Sequence, residues 1–525
     1  MVNPTAMMST RRQHAVWAGI AILSLAGCLA WTRSAGIDDA YISYRYAFNL
    51  THGDSLVFNP GERVEATSDL LWVLFLAMSQ LIGGSLPVAG YLLGALSLLA
   101  VICLTYRLAV RLTLPPLIAG ITTVTVALST DLVAGATMGL EGGLYAALLL
   151  GVVLLYDAAS GWRGFLLVII VVGLAATRPE GIIVGSALMV SRVFGAPLRL
   201  YYARIGSSCG ALGGIVILEI LRFRYYGSWL PMSVTAKRDI GYSAVNSLIY
   251  HFPGGVKYLI LRGGIPLLLA AAAAAGAGAW LLRHPGRQDR QEPLLGVIWP
   301  AALTVFLGLL LPLLSGGDWM PYARLVMPYL PLAAVVAVYV IRATPLAKWA
   351  LALPITMLLL GGHSTPLRDG VLADSSRDSV GRSLSTSIGV DSVVATDVLG
   401  RIPFWSPHVH YTDMLGLAEP AVANGRGRGS VFGKTNYAVT LALRPVVVHS
   451  NDWKSLEAVL ATPVPKSNYE TIVSRSLTRD RIFLLVDPAV SANLLRSLAE
   501  YFPDAAVEPP GVAFASWRAE FPNGQ

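Results

Sequence analysis

Residues 31–72 read WTRSAGIDDAYISYRYAFNLTHGDSLVFNPGERVEATSDLLW, and the rest of the chain is organised around this stretch. It follows an apolar segment directly and holds much of the acid in a chain that otherwise avoids it. Asp38 and Asp39 sit just past the end of that segment, and Tyr41, Tyr44, Arg45 and Tyr46 follow at helical spacing. The turn Asn59-Pro60-Gly61 then leads to Glu62, Arg63 and Glu65. Adjacent carboxylates at a membrane surface can act as a general base, or can hold a divalent cation beside a phosphate. Asp38 and Asp39 are therefore the candidate catalytic residues and, if a metal is bound, its candidate ligands.

Composition sets the class around this stretch. Of 525 residues, 54% are hydrophobic and only 13% charged. With a mean hydropathy of +0.60, the chain falls among polytopic helical membrane proteins. The formal charge of +8 is small for this length and forms no basic run, so nucleic acid is excluded as a partner. Cys28, Cys103 and Cys209 all lie in apolar segments and offer neither a metal spacing nor a disulfide. Arg11-Arg12, an apolar run and Leu25-Ala26-Gly27-Cys28 imitate a lipoprotein-processing signal. An uncleaved signal-anchor is the better reading, because the first helix fixes the topology.

Apolar segments able to span occur at 14–32, 87–106, 114–129, 143–156, 164–176, 181–195, 205–221, 263–282, 294–314, 323–341 and 345–361. This gives about eleven transmembrane helices. Arg11 and Arg12 put the N-terminus inside. Arg107, Arg111, Arg163, Arg192, Arg199, Arg204, the cluster Arg283–Arg290, Arg342 and Lys348 then fall on the same side. The assignment requires the apolar piece 69–83 to lie at the outer interface without crossing, opened by Asp69 and closed by Gly83-Gly84. Domain boundaries follow: a transmembrane catalytic domain over 1–361, with a catalytic loop at 33–68 and an outer loop at 222–262, and a soluble α/β domain over 362–525.

On this topology the unusual polar residues gather on the outer face. Besides Asp38 and Asp39, these are the acids Glu141, Glu180 and Asp318, read as supporting acids, with Arg178 beside Glu180. Charges at span ends are costly unless they are paired or functional. The plain alternatives are an ion pair for Arg178 and Glu180, and a helix cap for Asp318. The outer loop carries Arg222, Arg224, Lys237 and Arg238, an excess that runs against the usual poverty of outer loops in Lys and Arg. With Arg324, these are the candidate ligands for a lipid phosphate. His408 and His410 alternate as in a strand but lack a third metal ligand. Beyond 362, strand-like pieces at 392–396, 445–449, 481–486 and 512–517 alternate with helical ones at 453–461 and 490–501.

At Asp38–Ala47 and Val57–Glu65 the chain resembles the GT-C class of polyprenyl-phosphate-dependent membrane glycosyltransferases. Within that class it is most similar to the mycobacterial terminal β-(1→2) arabinofuranosyltransferase family. Further matches are Gly139-Leu140-Glu141, Arg178-Pro179-Glu180-Gly181, Pro231–Lys237, Gly316–Pro321, Asp397–Arg401 and Asp413–Leu417. The resemblance implies a GT-C fold in the bacterial inner membrane, with the active site and C-terminal domain facing the periplasm. It implies a polyprenyl-phosphate-linked sugar as donor, with arabinofuranose the expected sugar, and a cell-envelope glycan as acceptor. Tyr41, Tyr44, Arg45, Glu62, Arg63, Arg178 and Trp319 lie in the matched motifs and are the candidate substrate-binding residues. The alternatives are another sugar or acceptor (mannose, lipopolysaccharide or protein), and a lipid-linked glycan flippase. A flippase is expected to carry charges midway along its helices and an internal repeat, and neither is evident here.

Overall fold

The computed structural model describes residues 4–31, 36–158, 161–194, 201–261, 294–318, 320, 322–342, 344–345, 349, 352–354, 356, 368–390, 392–428, 434–463 and 468–521. They form a polytopic α-helical membrane protein with a sheet-containing C-terminal part. The expected spans at 263–282 and most of 345–361, the cluster Arg283–Arg290, Lys348 and Trp319 lie outside the described residues.

The chain divides into two interleaved units. One comprises Met1–Ser34, Gly90–Leu221 and Ser243–Pro366, and the other Ala35–Ala89, Arg222–Tyr242 and Leu367–Gln525. This corrects the single boundary expected at 361/362, since the stretch after the first helix folds with the C-terminal residues. The cause is polar anchoring across about 350 positions of sequence: Asn59 Nδ2 donates to the Tyr411 carbonyl at 2.9 Å, and Tyr411 N donates back to Asn59 Oδ1 at 3.1 Å.

In the helical unit, four helices are long and apolar enough to cross a membrane among the described residues: Arg12–Ala30, Leu86–Arg111, Tyr202–Tyr226 and Gly296–Ser315. Pro116–Ala127 and Thr130–Thr137, bent by 51°, count as a fifth if they make one span. The bend falls where Ser129 accepts a bond from Leu132 N and caps the second piece, so the chain stops and restarts its helix there. Gly142–Leu155, Gly161–Thr177 and Met327–Arg342 are shorter apolar helices.

Polar groups in this unit separate to opposite ends of the helix Gly142–Leu155, whose 14 residues span about 21 Å. At its start, Arg178 reaches Glu180 at 2.6 Å and Glu141 at 3.6 Å. Past its end, Asp157 receives Arg111 at 3.0 Å and Arg204 at 3.3 Å. Buried Arg192 donates to the Tyr156 carbonyl at 2.6 Å and to the hydroxyls of Ser207 and Ser208 at 3.0 Å. Arginines expected on one side of the membrane thus meet at one end, and the acids expected on the other side meet at the opposite end.

In the second unit, a six-stranded sheet runs in the order β2-β1-β3-β5-β4-β6, with β1 Val393–Thr396, β2 His410–Asp413, β3 Val447–Ser450, β4 Glu470–Val473, β5 Phe483–Val486 and β6 Ala506–Glu508. β1 pairs in parallel with β2 and β3, and the remaining pairs are antiparallel. Its core is apolar: Val448, Leu485, Phe483 and Trp517 are buried within it. The strand expected at 512–517 is instead part of the helix Pro510–Glu520. Pro510 stands at its first position, where proline pre-sets the helical φ, and Ala513, Phe514 and Trp517 form its buried face. The stretch expected as an outer loop at 222–262 is largely helical over its described residues. The long helix runs on to Tyr226, and Met232–Lys237 and Ala244–Leu261 are helical as well.

Candidate active site

Asp38 opens the helix Asp38–His52, and its carboxylate is already committed. Oδ2 accepts from Gly400 N at 3.0 Å and Oδ1 from Arg401 N at 2.9 Å, two amides at the head of the short helix Arg401–Trp405. Residue 400 must be glycine for this approach, because a side chain there would run into the Asp38 carbonyl. Burial pushes the Asp38 carboxyl up, while the Arg377 guanidinium and the Arg401 N–H pull the other way.

Arg401 ties the cluster together. Its Nη1 meets Asp378 Oδ1 at 2.9 Å and Oδ2 at 3.0 Å, Nη2 donates to the Gly36 carbonyl at 3.2 Å, and the guanidinium lies 4.3 Å from the Tyr41 ring centre. Asp39 follows Asp38 in the first turn and is half-buried. Neither Asp378 nor Arg401 was assigned a role from the sequence, although Asp397–Arg401 was among the matched motifs. The signal present was Gly400-Arg401 itself, without any indication that it meets Asp38.

Several expected site residues do different work. Arg45 is fully buried, and its donors go to backbone carbonyls: Phe58 at 2.7 Å, Val409 at 3.0 Å, Pro407 at 3.3 Å and Pro403. It is a structural clamp, which corrects its reading as a substrate ligand. Tyr41 and Tyr44 are likewise interior, packed edge-on against each other and against Phe404. Arg222 is corrected in the same way. It grips buried Glu65 through Nε at 2.8 Å and Nη2 at 2.7 Å, a bidentate pair that leaves its charge neutralised. Met232 N donates to the Glu65 carbonyl at 2.9 Å and fixes the same strap.

Other expected members are exposed. Arg63 lies over the Tyr225 ring at 4.9 Å, and Arg224, Lys237 and Arg238 are exposed in the same unit. Glu62 accepts from Asn59 Nδ2 at 3.0 Å and stands 3.6 Å from His410, which begins β2, whereas His408 lies in the preceding turn.

In the helical unit, Glu141, Glu180 and Arg178 come together beside Tyr145 and Tyr329, whose hydroxyls are 3.3 Å apart. Arg178 Nη1 also donates to the Arg324 carbonyl at 3.4 Å, and Arg324 pairs through its side chain with Asp318. Gly316 and Gly317, at φ +81° and +88°, end the preceding helix. Arg324, a candidate phosphate ligand, is thus engaged by an acid.

The parallel half of the sheet ends in a second set of buried polar groups. Asp397 follows β1 and accepts from Asn451 N at 3.2 Å and from Ser450 Oγ; burial pushes its carboxyl up to about 6. Asp413 ends β2 and accepts from Leu415 N at 2.8 Å and Ala418 N at 2.9 Å; burial pushes it up to about 7. His449, on β3, bonds to Thr396 Oγ1 at 2.9 Å and is pulled down to about 3 by burial. These residues shape the loops that carry Gly400 and Arg401.

Asp38 and Asp39 are the acids that a divalent cation would meet here. Both Asp38 oxygens already accept amide hydrogens, and among the described residues no three His, Cys, Asp or Glu side chains converge as ligands.

Fold and site together define a polytopic helical membrane protein with a mixed-sheet domain and a paired-carboxylate cluster at the head of a buried-face helix. No protein-family model matches the chain. A structural comparison aligns 90% of it with 97% of the crystal structure of ArnT from Cupriavidus metallidurans in the apo state, at 13% identity and a TM-score of 0.44. In sequence it is similar to the terminal beta-(1->2)-arabinofuranosyltransferase of Mycobacterium tuberculosis (strain ATCC 25618 / H37Rv). The two are 29% identical over 356 residues, 62% of this chain and 55% of that protein. The chain spans about half the length of this curated relative. The relative carries the name of the family that the matched motifs resemble.

Proposed function

We propose that the protein is an inverting glycosyltransferase that moves a sugar from a polyprenyl-phosphate donor to a cell-envelope glycan on the outer face of the inner membrane, with arabinofuranose as the sugar. The observation that carries this reading is the Asp38-Asp39 pair in a chain 29% identical over 356 residues to an arabinofuranosyltransferase. Asp38 spends both oxygens on Gly400 and Arg401, so it positions the helix. Asp39, its half-buried neighbour, is then the general base.

The chemistry follows from what the reaction needs. An acceptor hydroxyl is a weak nucleophile, and a carboxylate within hydrogen-bond reach takes its proton as the bond to the anomeric carbon forms. The polyprenyl phosphate departs with the electron pair of the broken C–O bond. Exposed Arg63, Arg224, Lys237 and Arg238 are the candidates to neutralise it, so no strong general acid is required. Glu141, Glu180 and Asp318 remain supporting acids, and the helix Leu70–Leu81 rests at the outer membrane interface.

The test is to incubate purified protein with a panel of polyprenyl-phosphate sugars and an envelope glycan acceptor, following product by mass spectrometry and anomeric configuration by NMR. Transfer with inversion is expected. No product from any donor, or retained configuration, overturns the reading.

A further inference from the structure

We propose that the C-terminal domain carries a binding groove for an anionic oligosaccharide, formed between the helices Arg368–Ser387 and Pro488–Leu498. This rests on the transferase reading only in assigning the bound chain to the acceptor; the groove itself stands on geometry. Its cavity is about 710 Å³, within the usual range for a ligand site.

Each helix contributes a polar stripe at helical spacing: Arg382 on the first, and Asn493, Arg496 and Glu500 on the second and its extension. The stripes meet where the hydroxyls of Thr386 and Ser497 lie 2.9 Å apart. Gly381 sets the floor. A side chain there would collide with the Ile402 carbonyl and Trp405, so the first helix settles onto Arg401–Trp405 and the next residue, Arg382, lands over the Trp405 ring at 3.6 Å.

Two properties select the ligand. Arg382 and Arg496 make no ion pair among the described residues, and Glu500 is the one acid lining the cavity, so the groove presents unneutralised positive charge. The stacked Arg382 is held with its N–H edge free for a carboxylate or phosphate. The rest of the lining is hydroxyl and amide with two aromatic rings, Trp405 and the 45%-exposed Tyr501. A sugar ring presents hydroxyls around its rim and C–H bonds on its face, and this lining answers both. A small inorganic anion would leave the rings and amides unused.

The test uses the full chain in nanodiscs and calorimetric binding of tetragalacturonate, with maltotetraose as the neutral chain and inorganic phosphate and acetate as simple anions. Tetragalacturonate should bind at least about tenfold more tightly than maltotetraose, and Arg382→Gln or Arg496→Gln should each weaken it by about tenfold. Arg496→Gln should melt as the parent does, whereas Arg382→Gln forfeits its stacking on the Trp405 ring, so binding is compared at a temperature where all three proteins are folded. Equal binding of maltotetraose, indifference to both substitutions, competition by phosphate or acetate as effective as the tetramer, or no binding overturns the proposal. Because binding is read without turnover, a protein that binds but transfers nothing retires the transferase reading and leaves the groove. Normal transfer without binding retires the groove alone.

Discussion

Asp38 and Arg45, seven residues apart on one helix, grip opposite ends of the same five-residue helix, Arg401–Trp405. Asp38 takes the amides at its head, and Arg45 donates to carbonyls at its tail, from Pro403 to Val409. A carboxylate at a helix N-terminus and a guanidinium at its C-terminus both suit the helix dipole. Two turns separate the pair, about 10 Å, which matches the short helix with its flanking residues. The Asp-Asp-Ala-Tyr-Ile-Ser-Tyr-Arg stretch is therefore a fold device in its own right.

The two aspartates should separate by assay. Asp39→Asn is expected to lower turnover by about 10²–10⁴-fold with a smaller loss of stability than Asp38→Asn. Asp38→Asn should also destabilise the protein, by about 1–3 kcal/mol, because one amide oxygen cannot replace both carboxylate acceptors. Turnover and thermal melting of the two variants check this; equal behaviour in both measurements defeats the division of labour.

Arg45→Met keeps much of the volume and strands buried carbonyls of residues 403–409. A loss of about 3 kcal/mol or more is expected, read as a lowered melting temperature and as early proteolysis within 400–410. A variant with normal stability and a raised KM would return Arg45 to the substrate site.

Glu65 and Arg222 should behave as a coupled pair. Glu65→Gln and Arg222→Gln each leave a largely buried partner uncompensated, and the double substitution should cost less than the sum, by about 1–3 kcal/mol. Melting of the four proteins in a double-mutant cycle gives this coupling directly.

Lys237→Glu, by contrast, should act on the donor. On the proposed function, reversing this exposed charge is expected to weaken donor binding by at least about tenfold. Unchanged donor affinity removes Lys237 from the site.

His449 sets an acid limit on the sheet domain. Its imidazole is held neutral down to about pH 3, whereas an unfolded chain takes up the proton near 6.5. Stability from this group is therefore lost as pH falls from 6.5 towards 3. Asp397 and Asp413, pushed up to about 6 and 7, act in the opposite sense, since the folded chain keeps protons that the unfolded chain has released. Melting His449→Gln beside the parent at pH 7 and pH 5 isolates the histidine: the parent should lose about 3 °C more than the variant on acidification. Parallel curves would show that His449 does not titrate on unfolding.

Much of the helical unit was legible in the sequence because a bilayer demands long apolar helices and places arginines by side. The spans at 87–106, 143–156 and 164–176 fall on Leu86–Arg111, Gly142–Leu155 and Gly161–Thr177. The grouping of Arg178 with Glu141 and Glu180 followed from their common position at span ends. The sheet domain was less readable. β1, β3 and β5 open on consecutive apolar residues and read as strands, whereas β2, β4 and β6, no longer than these, each carry an acid and do not read as strands, and 512–517 reads like a strand while folding as a helix.

By itself, the sequence determined the membrane class and the positions of several apolar helices, since hydropathy is a local property. It could not assign roles within the site. Tyr41, Tyr44, Arg45 and Arg222 read as ligands because an arginine or tyrosine looks the same whether it meets a substrate or a carbonyl. Only the tertiary structure brought residues 400–409 onto the helix at 38 and Glu65 onto Arg222, and those long-range pairings consume the charges that the sequence left open.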